Sequence, residues 1–286
     1  MARQPLVAKR AEELLGSSVV ATSPVAGGDI ATATRLRLSS GQTALMKTLP
    51  HAPEGFFEAE VAGLAWLSEV EGGVPVPEVL AAASDCVILA WVEPGSKTPV
   101  EAATTFGQQL AATHAAGADG WGLDHDGFIG RLPLPNRTAG SWAEFYAVRR
   151  VLPYLKLARD RGAIADSDAA AVEAVVGRLT DLLPDEAPAR LHGDLWAGNV
   201  MWTRSGGVLV DPAAHGGHRE GDLAMLMLFR GPHVARIVAA YDEAAPLADG
   251  WQERVPLHQL HPVMLHAVLF GGGYVEQARS IARRYV

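Results

Sequence analysis

The sequence predicts an α+β chain of two lobes: a small antiparallel β-sheet lobe carrying one helix, then a larger, mainly helical lobe. Three observations predict it. Short alternating or wholly apolar runs crowd residues 31–92, the breaker run Glu93-Pro94-Gly95-Ser96-Lys97 follows, and helical spacing dominates beyond it. The first lobe is therefore expected over residues 1–92 and the second over 93–286, with a hinge at about residues 90–97.

The elements follow in order. Residues 31–38 (ATATRLRL) alternate, with Thr32, Thr34, Leu36 and Leu38 on one face and Arg35 and Arg37 on the other. Residues 43–49 (TALMKTL) come after a Ser40-Gly41 turn, so the two runs form a hairpin. One helix is expected over about 53–69. Residues 86–92 (CVILAWV) have no polar face and fit a strand buried on both sides. In the second lobe helices are expected over about 100–116, 141–161, 166–183, 221–229, 232–243 and, with breaks, 255–284. The strands of this half lie in residues 199–211, NVMWTRSGGVLVD. A cleft between two lobes is a common ligand site.

Composition narrows the function classes. There are 24 basic and 32 acidic residues, a net charge of −8, and no basic cluster, which argues against nucleic acid as a partner. Cys86 is the single cysteine, which rules out an internal disulfide or a multi-cysteine zinc site and fits a reducing compartment. Its apolar surroundings mark it as an inert core residue. The longest apolar runs span seven residues, against the ~20 needed to cross a bilayer. Charges interrupt the N-terminal run MARQPLVAKRAEELLG, so no secretory leader is expected there. The expectation is a soluble cytoplasmic protein with neither a membrane nor a nucleic-acid partner.

The densest polar cluster is His192-Gly193-Asp194-Leu195-Trp196-Ala197-Gly198-Asn199, which runs directly into a hairpin turning at Arg204-Ser205-Gly206-Gly207. Pairing residues whose numbers sum to about 410 sets Asn199 opposite Asp211. An amide oxygen and a carboxylate side by side, with Asp194 five residues upstream, suit a Mg²⁺–nucleotide site, because Mg²⁺ takes few protein oxygens and fills its shell with phosphate and water. Asp-x4-Asn followed by a strand-borne Asp is also the order used for phosphoryl transfer: the first Asp accepts the proton of the attacking hydroxyl, and the other two hold the metal. The bland alternative is that Asp194 and Asn199 serve only as turn residues.

The first lobe supplies a second pair. Lys47 shares a strand face with Leu45 and Leu49, and Glu60 shares a helix stripe with Phe56, Phe57, Leu64 and Leu67. A buried carboxylate is costly unless paired, so an inward Lys and an inward Glu answer each other. Such a pair either orients nucleotide phosphates or is a purely structural ion pair. Gly27 and Gly28 precede the first hairpin and are placed either to cover phosphates or to make a plain turn. Ala90, Trp91 and Val92 end the apolar strand at the boundary, where their backbone groups could meet an adenine.

LHGDLWAGNV followed by DPAAHGGHREGDLAM resembles the fructosamine kinase (ketosamine 3-kinase) family, a small-molecule branch of the protein-kinase-like fold. PVAGGDI, FFEAEVAGLAWL, GFIGRLPLPNRTAGSWAEFYAVRR and RVPLHQLHPVMLHAVLFGGGY extend the likeness over most of the chain. The resemblance implies a bilobal protein-kinase-like fold with ATP and Mg²⁺ as cofactors. It implies Asp194 as general base, Asn199 and Asp211 as metal ligands, Lys47 with Glu60 as the phosphate-positioning pair, and Ala90, Trp91 and Val92 as the adenine hinge. Trp196 is implied as a wall for the sugar-like part of the substrate, with a core role as the alternative. His218, Arg219 and Asp222 either contact substrate or brace the catalytic loop, and His192 is expected to be structural. Ala197 and His215-Gly216 depart from many relatives beside the expected substrate region.

The implied reaction is phosphorylation of the C3 hydroxyl of a ketosamine (a glycated small amine, lysine or protein), followed by spontaneous deglycation. Two alternatives stand beside it: a kinase of the same fold acting on an aminoglycoside, choline or a sugar, and a catalytically dead nucleotide-binding module. The intact set Lys47, Glu60, Asp194, Asn199 and Asp211 disfavours the last.

Overall fold

In the computed structural model, residues 3–26, 30–95 and 99–286 are described. The first lobe contains helix α1 (Arg3–Leu15), strands β1 (Val19–Pro24), β2 (Thr32–Leu38) and β3 (Thr43–Thr48), helix α2 (Phe56–Ser68), and strands β4 (Val79–Ala83) and β5 (Cys86–Ala90). The strands form one antiparallel sheet in the order β1-β2-β3-β5-β4.

At β5 the sheet is buried on both faces because a helix covers each. On one face Leu36, Leu38, Ala44, Met46, Cys86 and Ile88 pack against Val7, Ala11, Leu14 and Leu15 of α1. On the other, Leu49, Val87 and Leu89 pack against Phe57 and Leu64 of α2. This explains why β5 is apolar throughout. It also corrects the expectation of one helix in this lobe: Val7, Ala11, Leu14 and Leu15 are helically spaced, and α1 supplies the second cover. Burial, with Asp85 beside it, pushes the Cys86 thiol up to about 11, as suits an inert core cysteine.

The second lobe contains α3 (Val100–Ala115), a short hairpin of β6 (Gly127–Ile129) and β7 (Leu132–Leu134), α4 (Trp142–Phe145), α5 (Leu152–Asp160), α6 (Asp166–Val176) and α7 (Leu179–Leu182). It continues with β8 (Ala189–Leu191), the hairpin β9 (Val200–Trp202) and β10 (Gly207–Leu209), β11 (His215–Gly217), α8 (Glu220–Leu228), α9 (Val234–Ala244), α10 (Trp251–Phe270) and α11 (Gly273–Tyr285). One core joins α4–α6 to α10 and α11; a second joins α3, α8 and α9 beneath the β9–β10 hairpin.

The helix α10 keeps its path despite Pro262. Proline has no N–H to give the His258 carbonyl. The hydroxyl of Tyr146 fills the gap, lying 3.0 Å from the His258 carbonyl and 2.7 Å from that of Leu257, and accepting the His261 N–H at 3.1 Å. Tyr146 belongs to the π-helical turn Tyr146–Val151 that links α4 to α5. Tyr146→Phe leaves the buried His258 carbonyl, which Pro262 cannot serve, unpaired and is expected to cost about 1–3 kcal/mol in chemical denaturation, with the fold retained.

Candidate active site

Strands β8 and β11 pair antiparallel and clamp the base of two loops, residues 192–199 and 210–214. Ala213 N donates to the His192 carbonyl at 2.9 Å, and Val210 N donates to that of Asn199 at 3.0 Å. His192 ties the loops together from within. Its Nδ1 accepts from Asp194 N at 3.3 Å, and its Nε2 donates to the Val210 carbonyl at 2.9 Å. Gly193, at φ 81°, has no room for a side chain: a Cβ there would meet the Ala213 carbonyl oxygen at 2.1 Å.

The β9–β10 hairpin is tighter than its sequence suggests. Thr203 N donates to the Gly206 carbonyl at 2.8 Å, leaving Arg204 and Ser205 as the loop. Paired numbers therefore sum to 409, as in Trp202 with Gly207, so Asn199 faces Val210 and Asp211 lies one residue beyond. Strand alternation ends at Asp211, whose φ of 56° is a left-handed conformation that Asp tolerates. Its carboxylate pairs with Lys47.

Asn199 Nδ2 donates to the Asp194 carbonyl at 2.9 Å and to its Oδ2 at 3.0 Å. That leaves the amide oxygen of Asn199 without a donor among the described residues. Burial pushes the Asp194 carboxyl up to about 7, against the bond from Asn199, and the charges of Asp211 and Asp222 add to the rise. Across the cleft, Lys47 Nζ lies 2.5 Å from Glu60 Oε1. Burial disfavours the Lys47 ammonium, but Glu60 and Asp211 outweigh it and hold Lys47 above its ordinary value. Burial pushes the Glu60 carboxyl up, with Lys47 pulling the other way.

Lys47, Glu60, Ala90, Trp91, Val92, Asp194, Trp196, Asn199 and Asp211 all line one cavity of about 620 Å³ between the lobes. At its boundary end Ala90 N is spent on the Glu78 carbonyl at 2.8 Å and Trp91 N on that of Thr43 at 3.2 Å. Val92 N–H has no acceptor among the described residues, which narrows the expected adenine contact. The Trp91 ring is held by Arg35 above its face at 4.5 Å and by Nε1 donating to Glu93 at 2.7 Å. Trp196 is 40% exposed and so is not a core residue. Its ring lies so close over Gly198 that a Cβ there would stand 2.3 Å from it.

Gly27 and Gly28 lie outside the described residues, as do Ser96 and Lys97. His218, Arg219 and Asp222 do not line the cavity, and of the two roles expected for them, substrate contact or a brace for the catalytic loop, their contacts fit the brace. Asp222 is buried beneath the loop and accepts from His192 N at 2.7 Å, Gly193 N at 2.9 Å and His114 Nε2 at 3.3 Å. These donors hold its carboxyl below the ordinary value even though burial alone would raise it. Arg219 grips Glu186 at 2.8 and 2.9 Å and caps the Ala245 and Pro246 carbonyls. His218 is fully buried beside Glu220 and His258. That trio is compact enough for a cation, yet Arg254 already binds the Glu220 carboxylate at 2.6 and 2.9 Å. His218 Nδ1 accepts from Glu220 N at 3.3 Å, which puts its proton on Nε2, the atom a metal would need bare.

The wall that sequence reasoning left without a role is the β6–β7 hairpin. Leu123, His125, Phe128 and Asn136 line the cavity, and Phe128 packs on Phe56 of α2 at 5.2 Å between ring centroids. Arg131 donates to the Ile30 carbonyl at 3.3 Å, so this hairpin reaches across to the first lobe.

Burial holds His192, His215, His218 and His261 below the ordinary histidine value, His215 and His218 at about 3. As pH falls below about 6.5 the unfolded chain binds protons that these buried rings do not. The stability these rings contribute is therefore complete above that value and is lost toward pH 3. The expected loss is about 1 kcal/mol for each of His215 and His218 at pH 5.5, read as a lower urea midpoint than at pH 7.5.

The fructosamine kinase family model matches residues 4–286. The chain belongs to the fructosamine kinase family. It is thus an enzyme, a phosphotransferase of protein-kinase-like fold. It is 38% identical over 252 residues to a "probable ketoamine kinase" of Thermus thermophilus, covering 88% of this chain and 89% of that one. The crystal structure of a "putative fructosamine-3-kinase" from Thermobifida fusca superposes with a TM-score of 0.92 at 47% identity, covering 98% of each chain. A thermostable aminoglycoside phosphotransferase, solved with ADP and hygromycin B, shares the fold alone, at 16% identity and a TM-score of 0.63 over 97% of this chain and 98% of that one. No described helix is long and apolar enough to cross a membrane.

Proposed function

We infer that this fructosamine kinase family member transfers the γ-phosphoryl group of ATP to the C3 hydroxyl of a small-molecule ketosamine. The observation that carries the reading is the convergence of Asp194, Asn199 and Asp211 on one cavity with the Lys47–Glu60 pair. Asp194 accepts the hydroxyl proton; a carboxyl held near neutrality by burial suits a base working near neutral pH. Asn199 and Asp211 are hard oxygen donors that fit Mg²⁺, which when bound neutralises charge on the phosphates. Glu60 fixes Lys47 so that its ammonium faces the phosphates without reorganising during the reaction. Trp196 walls the sugar.

The C3 phosphate then sits beside the C2 carbonyl. Enolisation toward C1 makes phosphate an allylic leaving group, and hydrolysis frees the amine with a deoxyosone. The test is ADP formation from Mg-ATP with ketosamines made from several sugars, with amine release followed alongside. Phosphorylation of an aminoglycoside but of no ketosamine would replace this reading with the alternative substrate class. Lys47→Ala is expected to lower kcat/KM by about a hundredfold or more, measured in the same assay.

A further inference from the structure

Trp196 is the inner end of a row of aromatic side chains that leaves the cavity and crosses the surface of the second lobe. Ring centroids lie 6.0 Å apart from Trp196 to Phe229 and 5.0 Å from Phe229 to His266. His266 in turn meets Phe270 at 5.5 Å and Tyr274 at 5.0 Å. The rings come from the catalytic loop, the end of α8, α10 and α11. Four separate parts of the chain have thus been brought to one surface.

The row is open to water at its two ends: Trp196 is 40% exposed and Phe270 69%, the largest exposure of any large apolar side chain described in the second lobe, while Phe229, His266 and Tyr274 between them are half-buried. Isolated apolar residues on a surface need no explanation; several in mutual contact, starting at a ligand cavity, form a binding surface. The row carries no positive charge of its own. His266 Nδ1 donates to the Pro262 carbonyl at 2.7 Å, and burial holds the ring below its ordinary value. The residue after Phe229 is the exposed Arg230, so the nearest charge in sequence repels a polycationic occupant.

The ketosamine reading says what should lie there. The reacting C3 hydroxyl is at Asp194, and the amine nitrogen is bonded to C1, two carbons along the sugar. The substituent on that nitrogen is the variable end of the substrate, and Trp196 joins the sugar region of the cavity to the open row. We propose that this row is the subsite for the amine substituent, and that it selects planar apolar substituents, of the arylalkylamine class, over small or polycationic ones. Phe229, His266 and Phe270 then determine specificity without touching the reacting atoms.

The test compares two ketosamines of one sugar, made on phenethylamine and on methylamine, with the whole protein and Mg-ATP. The expected kcat/KM ratio favours the phenethylamine adduct by about tenfold or more, through KM rather than kcat. Phe270→Ala lowers that ratio about three- to tenfold. Val20→Ala, an exposed apolar residue on the edge strand β1, leaves it unchanged. Using the ratio cancels general damage to the enzyme. A wild-type ratio near one, or one untouched by Phe270→Ala, overturns the proposal. A ketosamine of Nα-acetyl-lysine that is preferred over the phenethylamine adduct and is equally sensitive to Phe270→Ala overturns the arylalkyl assignment in favour of a lysyl chain.

This inference rests on the ketosamine reading, and calorimetric binding of both adducts beside a non-hydrolysable ATP analogue separates the two. A Phe270-dependent binding preference without turnover of either adduct sustains the subsite and sinks the reaction. Equal binding, or none, sinks the subsite.

Discussion

Asp194→Asn is expected to lower kcat by about a thousandfold or more while ATP affinity changes only a few-fold. The amide matches the carboxylate in size and can still accept from Asn199 Nδ2, which lies 3.0 Å from Oδ2 in the native protein. It cannot take a proton from the attacking hydroxyl, and positioned proton transfer is typically worth ~10²–10⁴ in rate. The groups assigned to the nucleotide, Lys47 with Glu60 and the Val92 N–H, are untouched. The check is a steady-state rate from ADP formation beside a calorimetric titration with ATP. Near-native kcat would remove Asp194 from the role of base. Lost ATP binding would instead make it part of the nucleotide site.

Asp222→Ala carries the largest expected cost in stability, about 3–5 kcal/mol. Its buried carboxylate accepts from two successive loop amides, His192 N at 2.7 Å and Gly193 N at 2.9 Å, and from His114. Truncation leaves all three donors buried without an acceptor, the circumstance in which a lost partner costs most. Asp222→Asn keeps one acceptor oxygen and should lose about half as much. Because Gly193 directly precedes Asp194, both variants should also lose activity in proportion to loosening of the loop. Urea denaturation and kcat/KM measured together decide between brace and substrate contact. A substrate contact would give the opposite pattern: activity lost at unchanged stability.

The sequence disclosed what burial makes anomalous. Lys47 on an apolar strand face and Glu60 on an apolar helix stripe are costly unless paired, and they meet at 2.5 Å. The apolar run of β5 announced a strand covered on both faces, yet α1, which covers one of them, was hidden by the charges interspersed among Val7, Ala11, Leu14 and Leu15. The hairpin was legible but its register was not. Thr203 closing directly on Gly206 shortens the loop, and a shift of one residue decides whether Asn199 faces Val210 or Asp211. His218, Arg219 and Asp222 carry the polar chemistry of a binding site, but local pattern does not tell whether such groups face a ligand or the protein's own backbone. The role of Phe128 was illegible for a related reason: it acts through a contact with Phe56, 72 positions earlier in the chain. Tyr146, which repairs the helix at Pro262, is likewise separated from its partners by more than 110 residues.

One measurement asks directly whether the cavity between the lobes phosphorylates a ketosamine. Purified protein with Mg-ATP is offered ribulose-, erythrulose- and fructose-amine adducts of lysine while ADP and free amine are followed together. ADP is expected to form with at least one adduct, with free amine appearing after it, and neither is expected with Asp194→Asn. A folded, ATP-binding protein that forms no ADP with any ketosamine would overturn the assigned reaction.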